Sequence, residues 1–439
     1  MRVLLDYGRR RLPLELRGLA PDARPVVLEK APLPPLADPG AALCAGLERP
    51  QGTPALRELA RGRRSAVIVI SDHTRPVPNA ALLPPLLEAL AAGGLPPEAV
   101  TLQVATGLHR PSTAQELAEM LGPALAGRRL RVVQHDARDA DAHADLGTTS
   151  GGLPVHIDRR YLAHELRIVT GLVEPHLMAG YSGGRKAVCP GLAAVETIRV
   201  AHGPAMLEGW VGPGIVSGNP LHAALVEAAR RAGVDFCVNV ALDRERRISG
   251  VFCGDLELAH QDAMRFVESE CRVELEAAAD LVVVSGGGHP LDRTFYQAIK
   301  GVAAAAGIVR RGGVILLCAE LAEGVGSADF EKCLRASRGP AEFELRLADD
   351  AHFAIDQWMV QHLCQALRRA RVLLYSDGLP RETQRELFVE PVESPEAGMA
   401  RALASLGPRA RVAVLPQGPY VLATLRDGMR PLGRAGVPT

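Results

Sequence analysis

The sequence has few aromatic residues, no excess of either charge, no closely spaced cysteines and no long apolar run. Aromatics make up 4% of its 439 residues, too few for the stacking platforms that hold single-stranded nucleic acid. Lys plus Arg and Asp plus Glu each number 50, so there is no net attraction for phosphate backbones or anionic membranes. No apolar stretch approaches the ~18 residues of a transmembrane helix. Within Met1–Arg11 the cluster of basic residues, Arg9 to Arg11, follows the short apolar stretch, which argues against a secretory leader. The cysteines (Cys44, Cys189, Cys237, Cys253, Cys271, Cys318, Cys333 and Cys364) contain no C-x-x-C pair, which argues against a thiol metal site or a redox motif. The expectation is a reduced, cytoplasmic protein whose cysteines serve as small apolar side chains.

What is present is globular: 47% hydrophobic and 23% charged, enough apolar surface to offset chain entropy, over a length of about two to three domains. Val3–Leu16 reads as a hairpin-like pair around Gly8, followed by a Pro-rich connection over 31–40. Then short apolar runs alternate with helical patterns. Strands are expected at Ala66–Ile70, Val100–Ala105, Leu130–Val133, Leu166–Val173, Val234–Leu242, Asp280–Val284, Val314–Leu317, Val372–Tyr375 and Arg411–Leu415. Helices are expected at Asn79–Ala92, Ser112–Leu121, Ala193–Val200, Asn219–Ala232, Leu256–Glu270, Arg293–Val309, His352–Ala370 and Ser394–Leu406. Ser112 with Gln115 reads as a capping box, and Asn219–Pro220 as a cap with proline at the first helical position. Strands alternating with helices imply mostly parallel sheets with right-handed crossovers. The expected architecture is two α/β domains, 1–270 and 271–439, with the strand from about 410 a candidate to return to the first.

In open α/β sheets, ligands bind beyond the carboxyl ends of the strands. Five of those ends deliver a histidine: His73, His109, His135, His176 and His289. Their accumulation points to a polar site without saying which histidines matter. The densest segment, Glu174–His202, reads EPHLMAGYSGGRKAVCPGLAAVETIRVAH. It frames Lys186 with glycines; spacing alone is satisfied by a glycine turn with a surface lysine, whereas a desolvated lysine there would be a nucleophile. Walker A, H-E-x-x-H, G-x-S-x-G and G-x-G-x-x-G patterns are missing, so the sequence does not support an ordinary NAD dehydrogenase, which needs the dinucleotide fingerprint.

The strings SDHTRPVPN, TGLHRPST, EPHLMAGYSGGRKAVCPG and FYQAIKG, in this order from Ser71 to Lys300, resemble the nickel-dependent lactate racemase family. The resemblance implies two α/β domains with the active site in the cleft between them. It also implies a nickel-pincer nucleotide, a pyridinium mononucleotide with two sulfur-bearing arms, joined to Lys186 through a thioamide. His202 matches the nickel ligand, and His109 and His176 match the acid–base pair. Arg75 and Lys300 match the carboxylate-binding cations, with Tyr296, Gln297 and Trp358 around the substrate. By pattern alone, Tyr296 and Gln297 fit an exposed helix start equally well, and Trp358 fits a core aromatic. Asp72 is expected to orient the cofactor or a neighbouring donor; Thr74, Gly183 and Gly184 are candidate phosphate contacts. His73, His135 and His289 carry no assigned role.

The residue chemistry agrees with that resemblance. A carboxylate stabilises an adjacent carbanion poorly, so moving a hydride to a pyridinium and passing through a ketone is the easier route to racemise a 2-hydroxy acid. The departing hydroxyl proton needs a base near neutrality on each face. An imidazole suits nickel bound by carbon and sulfur. The resemblance also implies partners that carboxylate, sulfurate and nickel-load the cofactor. Alternatives are an epimerase of a longer or dicarboxylic hydroxy acid (a sugar acid, malate), or a cofactor-free carboxylate-binding protein on the same fold.

Overall fold

The structure is a computed structural model that describes residues 1–31, 34–123, 125, 130–207, 210–347 and 352–426; part of the Pro-rich connection, 32–33, lies outside them. The chain forms two compact units, one of residues 32–206 and 216–270, the other of 1–31, 207–215 and 271–439.

The first unit is built on a six-stranded sheet in the order Ile248–Gly254, Phe236–Leu242, Leu166–Leu172, Ala66–Ser71, Val100–Ala105, Arg131–Gln134. Only the first pair is antiparallel. Ala66–Ile70 is buried throughout, as a continuous β-branched run in a two-sided parallel sheet requires. Helix Asn79–Ala92 buries Leu82, Leu83, Leu86, Leu87 and Leu90 in one core with Ile68, Ile70, Leu102 and Val104. The next helix, Ala114–Leu121, corrects the expected cap. Thr113 is the N-cap and Glu116 completes the box. Ser112 is already engaged: its amide donates to Gln134 Oε1 at 2.7 Å, and its hydroxyl lies 3.1 Å from His73 Nδ1.

The second unit carries an all-parallel sheet in the order Glu390–Pro391, Ala370–Tyr375, Val309–Cys318, Ala279–Ser285, Val412–Leu415, Val26–Val27. Here the structure departs from a first domain of 1–270. Residues 1–31 belong with 271–439, because the hairpin Arg2–Tyr7/Arg10–Glu15 buries Val3, Leu5, Tyr7, Leu12 and Leu14 against Leu281, Val283, Val314 and Leu316. Val26–Val27 extends the edge beside Val412–Leu415, and the latter strand stays in this unit. The helix expected at 352–370 covers only Gln357–Leu367, with Asp356 in the left-handed region at φ 68° before it. Among the described residues no helix is long and apolar enough to cross a membrane. All eight cysteines are unpaired thiols, and only Cys44 is exposed.

Candidate active site

Within the first unit, the loops leaving three neighbouring parallel strands carry the polar groups. Asp72 follows Ala66–Ser71 and is buried. Its Oδ2 accepts from His109 Nδ1 at 2.6 Å; its Oδ1 accepts from the Thr74 hydroxyl at 2.6 Å and the Thr74 amide at 3.1 Å. Burial would raise the Asp72 carboxyl, but the His109 bond and charge, the Thr74 hydroxyl and nearby Arg75 outweigh it and hold the group down to about 2. Asp72 is thus a permanent anion that orients the His109 ring. With Nδ1–H committed to Asp72, the lone pair of neutral His109 resides on Nε2. The Thr74 hydroxyl, expected at a phosphate, is spent on Asp72 and also accepts from Arg75 Nη1 at 3.3 Å. Arg75 makes no ion pair among the described residues, so its charge is available to an outside anion.

His176 is set differently. Pro175–His176 pairs antiparallel with Gly180–Tyr181, and the tight turn aims the Met178 and Ala179 amides at His176 Nδ1, both at 3.2 Å. An Nδ1 that accepts two amides leaves the proton of the neutral ring on Nε2. The two histidines are therefore held in opposite tautomers, one presenting a lone pair at Nε2 and the other an N–H.

The glycine segment begins where Ser182 Oγ donates to Leu172 O at 2.7 Å and accepts from the Glu174 amide at 2.9 Å. Gly183 (φ 74°) and Gly184 (φ 51°) need the left-handed region. A Cβ on Gly183 would lie 2.7 Å from Val173 Cγ2, and one on Gly184 would lie 2.7 Å from His260 Cγ. The Gly184 amide donates to Asn239 Oδ1 at 2.9 Å, which ties the turn to the sheet. The turn Gly184–Ala187 then presents Lys186. The same loop is tied to the His109 loop by Gly107 N donating to Gly191 O at 3.0 Å. Lys186 is half-buried by its own surface yet densely surrounded. Desolvation first, then the charges of Arg185 and Arg75, push its amine down to about 7, opposed only by Cys189.

His202 closes helix Val195–Ala201, and its Nδ1–H donates to Ile198 O at 2.9 Å. That bond fixes the tautomer whose Nε2 lone pair can ligate a metal. Among the described residues no group of three or more His, Cys, Asp or Glu could hold a metal ion, so His202 is a single-donor candidate.

The remaining expected residues lie in the second unit. Phe295–Ala306, capped by Thr294, carries Tyr296, Gln297 and Lys300, all half-buried. Trp358 is 5% exposed, and its Nε1–H donates to the Tyr296 hydroxyl at 3.1 Å. Gln297 Oε1 is buried without a partner, an acceptor waiting for a donor. Of the unassigned histidines, His135 is buried between Asp158 and Ala193 O, and His73 and His289 face Ser112 and Arg9. The sequence reading missed Arg185, Asn239 and His260, which hold the glycine turn from beneath. Arg185 stood inside the quoted string, but nothing in a string shows that an arginine is buried.

Residues 7–210 match the lactate racemase N-terminal domain and 275–423 the lactate racemase C-terminal domain. A lactate racemase of Thermoanaerobacterium thermosaccharolyticum is 32% identical over 86% of this chain and 88% of that protein. A lactate racemase of Lactiplantibacillus plantarum is 34% identical over 85% and 88%. The solved lactate racemase apoprotein from T. thermosaccharolyticum superposes with a TM-score of 0.90 at 30% identity, over 96% of this chain and all of that one. With both domain matches in order, two relatives above 30% identity and the same two-domain α/β architecture, the chain belongs to the lactate racemase family.

Proposed function

We propose that this chain is an isomerase that racemises or epimerises a 2-hydroxy acid of lactate type, using a nickel-pincer nucleotide carried on Lys186 and ligated through nickel by His202. The observation that carries the reading is the pair of histidines held by different partners, His109 Nδ1 on Asp72 and His176 Nδ1 on two backbone amides, with the Lys186 loop tied to the His109 loop by Gly107 N donating to Gly191 O. The residues fit the group. Lys186 has no carboxylate partner among the described residues and is nucleophilic at neutral pH, and the His202 ring is turned to ligate through Nε2. When bound, the nucleotide supplies an acceptor for the substrate's α-hydride.

The protein's own part is binding and proton movement. Arg75 and Lys300 take the substrate carboxylate, Arg75 with a guanidinium suited to two parallel bonds. Tyr296, ordered by Trp358, and Gln297 line the substrate. His109 takes the hydroxyl proton at Nε2 as the alcohol becomes a ketone, and the Asp72 anion stabilises the imidazolium that forms. His176 returns a proton to the ketone oxygen from its own side as the imidazolium; the resting neutral ring, with its only proton on Nε2, first takes up a proton at Nδ1 and gives up the Met178 and Ala179 amides. For the opposite enantiomer the roles exchange.

The test is holoprotein from a host that makes the cofactor. Peptide mass spectrometry should find an adduct on Lys186, metal analysis one nickel per chain, and chiral chromatography should show either lactate enantiomer converging on the racemate. His202→Ala should lose the nickel and keep the adduct. An active enzyme with unmodified Lys186 would falsify the assignment. A protein that carries the adduct but leaves lactate untouched, and inverts a longer hydroxy acid instead, would move the substrate class.

A further inference from the structure

The turn that holds His176 at Nδ1 is itself held. The peptide plane joining Met178 to Ala179 is bonded on both edges. Its N–H, on Ala179, donates to His176 Nδ1 at 3.2 Å, and its C=O, on Met178, accepts from Asn219 Nδ2 at 2.8 Å. The two ends of a trans peptide point opposite ways, so a donor on the carbonyl aims the amide at the ring. The next carbonyl, Ala179 O, accepts from Arg185 Nη2 at 2.6 Å and from the Tyr181 amide at 2.9 Å. The Tyr181 bond closes a three-residue turn around Gly180, whose φ of 76° is open to glycine and costly to other residues. Asn219 and Arg185 are 2% and 1% exposed, so both donors act inside the protein, where a hydrogen bond is stronger than in water. Each is fixed in turn. Asn219 caps helix Pro220–Ala232, its Oδ1 accepting from the His222 amide at 3.0 Å. The Arg185 guanidinium lies against the His260 ring, whose Nε2–H donates to Ser182 O at 2.8 Å.

We propose that Asn219 and Arg185 are positioning residues for His176: they hold Met178 O and Ala179 O so that the turn amides stay aimed at Nδ1, and this sets the plane of the ring. A flip of an imidazole exchanges Nδ1 with the carbon Cδ2, and two amides at Nδ1 oppose that flip. A small misplacement of a group that must meet a reacting atom costs far more than the contact that prevents it is worth. Both side chains act through the turn and neither is asked to touch substrate. They come from different elements, Arg185 from the Gly184–Ala187 turn and Asn219 from the start of helix Pro220–Ala232, so the His176 turn is located against both. That His176 moves a proton rests on the function proposed above. The hold on its ring does not.

The first readout needs only the full-length apoprotein: NMR of the histidine ring nitrogens, with His176 assigned by its absence in His176→Ala. Wild-type His176 should show a single ring state with Nδ1 unprotonated and hydrogen-bonded. Asn219→Ser keeps an oxygen to cap the helix and withdraws the donor from Met178 O. It should move the His176 signals, leave those of His109 in place, and speed exchange of the Ala179 amide about 2- to 10-fold. Arg185→Met should do the same through Ala179 O, and Arg185→Lys, which keeps a donor, less. The second readout mixes the loaded enzyme with single enantiomers. The half-reaction that His176→Ala loses should slow about tenfold or more in Asn219→Ser, and the other should not. In the His176→Ala background, Asn219→Ser should add nothing. If Asn219→Ser does not fold, Asn219→Asp, an equally good cap, takes its place. Wild-type Met178 and Ala179 amides that exchange as freely as an unstructured turn overturn the proposal by themselves. So does a folded variant with unmoved His176 signals, or one that slows both enantiomers alike. Moved signals in an apoprotein whose loaded form leaves every 2-hydroxy acid untouched would sink the functional reading and leave this one standing.

Discussion

Both sheets end in loops that carry a histidine after a buried apolar strand, and the two ends have opposite fates. In the first unit, Asp72, Arg75, His109 and His176 follow the strand ends and are bonded within their own loops, Asp72 to His109 and Thr74, Arg75 to Thr74, and His176 to the Met178 and Ala179 amides. In the second unit the Gly286–Gly287–Gly288 turn and His289 follow Ala279–Ser285 just as invitingly, but the N-terminal hairpin occupies that end. Ser285 Oγ donates to Asp6 O, the His289 amide donates to Gly8 O at 2.8 Å, and Arg9 Nη2 meets His289 Nε2 at 3.0 Å. Gly8 N donates to Asp292 Oδ2 at 2.8 Å. The same local signal, a histidine after a buried apolar strand, is met at the second unit's strand end by a hairpin that makes it a structural joint. A strand end with its histidine is therefore not sufficient for a site.

The comparison breaks most clearly at the histidines of the first unit. Acid–base groups contribute roughly 100- to 10,000-fold, so His109→Ala and His176→Ala should each nearly abolish racemisation while leaving the protein folded. A scheme with one base for each enantiomer adds a finer expectation. Each variant should still oxidise one enantiomer to bound ketone and fail with the other, with the surviving enantiomer swapped between variants. Single-enantiomer mixing, followed by absorbance of the loaded enzyme, reads this directly. If both variants respond alike to both enantiomers, the two rings do not serve opposite faces.

Next in size are the cations. Arg75→Ala and Lys300→Ala should each cost on the order of 1.5 to 3 kcal/mol, about 10- to 150-fold in kcat/KM, as a charge-assisted contact to the substrate carboxylate is lost. Lys300 sharpens the comparison because it belongs to the second unit. Activity that survives Lys300→Ala unchanged would mean that Lys300 does not bind the substrate carboxylate. Asp72→Asn should cost about 10- to 100-fold, the usual price of disturbing a group that orients an active imidazole. It keeps an acceptor for His109 Nδ1–H but removes the anion, so its pH–rate profile should shift where that of a purely structural change would not. His289→Ala, at the covered end, should leave turnover per folded enzyme intact.

The alternation of apolar runs with helical patterns made both sheets legible, because a strand buried on two faces must be apolar along its length. Which sheet the first hairpin joins was not legible. Val3, Leu5, Leu12 and Leu14 show that one face is buried, and nothing in that alternation says against what. Neighbouring Ser112 and Thr113 both fit a cap, and only the claim of Gln134 on Ser112 decides between them. At the site, His109, His176, Lys186 and Arg75 stood out as types. Which atom of each ring carries the proton depends on the partner, Asp72 for one and two backbone amides for the other, and partners across loops are not written in spacing.

The smallest expected effect lies at the covered end and concerns Asp292. This carboxylate is fully buried, has no cationic partner among the described residues, accepts from the Gly8 and Glu320 amides at 2.8 and 3.3 Å through Oδ2, and among those residues leaves Oδ1 unpaired. Burial raises its pKa above the ordinary carboxylate value, the two amide bonds oppose that, and the Glu320 charge adds to it. The sign follows. A carboxyl whose folded pKa lies above its unfolded one favours the folded state while protonated. That contribution is whole below the unfolded pKa and is lost as pH rises through the folded pKa. At neutral pH the charge is therefore carried at a cost. Asp292→Asn keeps an oxygen for the two amides and removes the charge, so it should leave stability at neutral pH unchanged or slightly raised. It should also remove the part of the pH dependence that Asp292 itself contributes, so the stability difference between Asp292→Asn and the wild type should grow in the variant's favour as pH rises from the acid side. Asp292→Ala strands both amides and should cost about 1 to 3 kcal/mol at any pH. Chemical denaturation of the three proteins at several pH values separates these outcomes. If Asp292→Asn proves as damaging as Asp292→Ala at neutral pH, the negative charge itself holds the hairpin, and the covered strand end is an electrostatic joint where the buried geometry describes a hydrogen-bonded one.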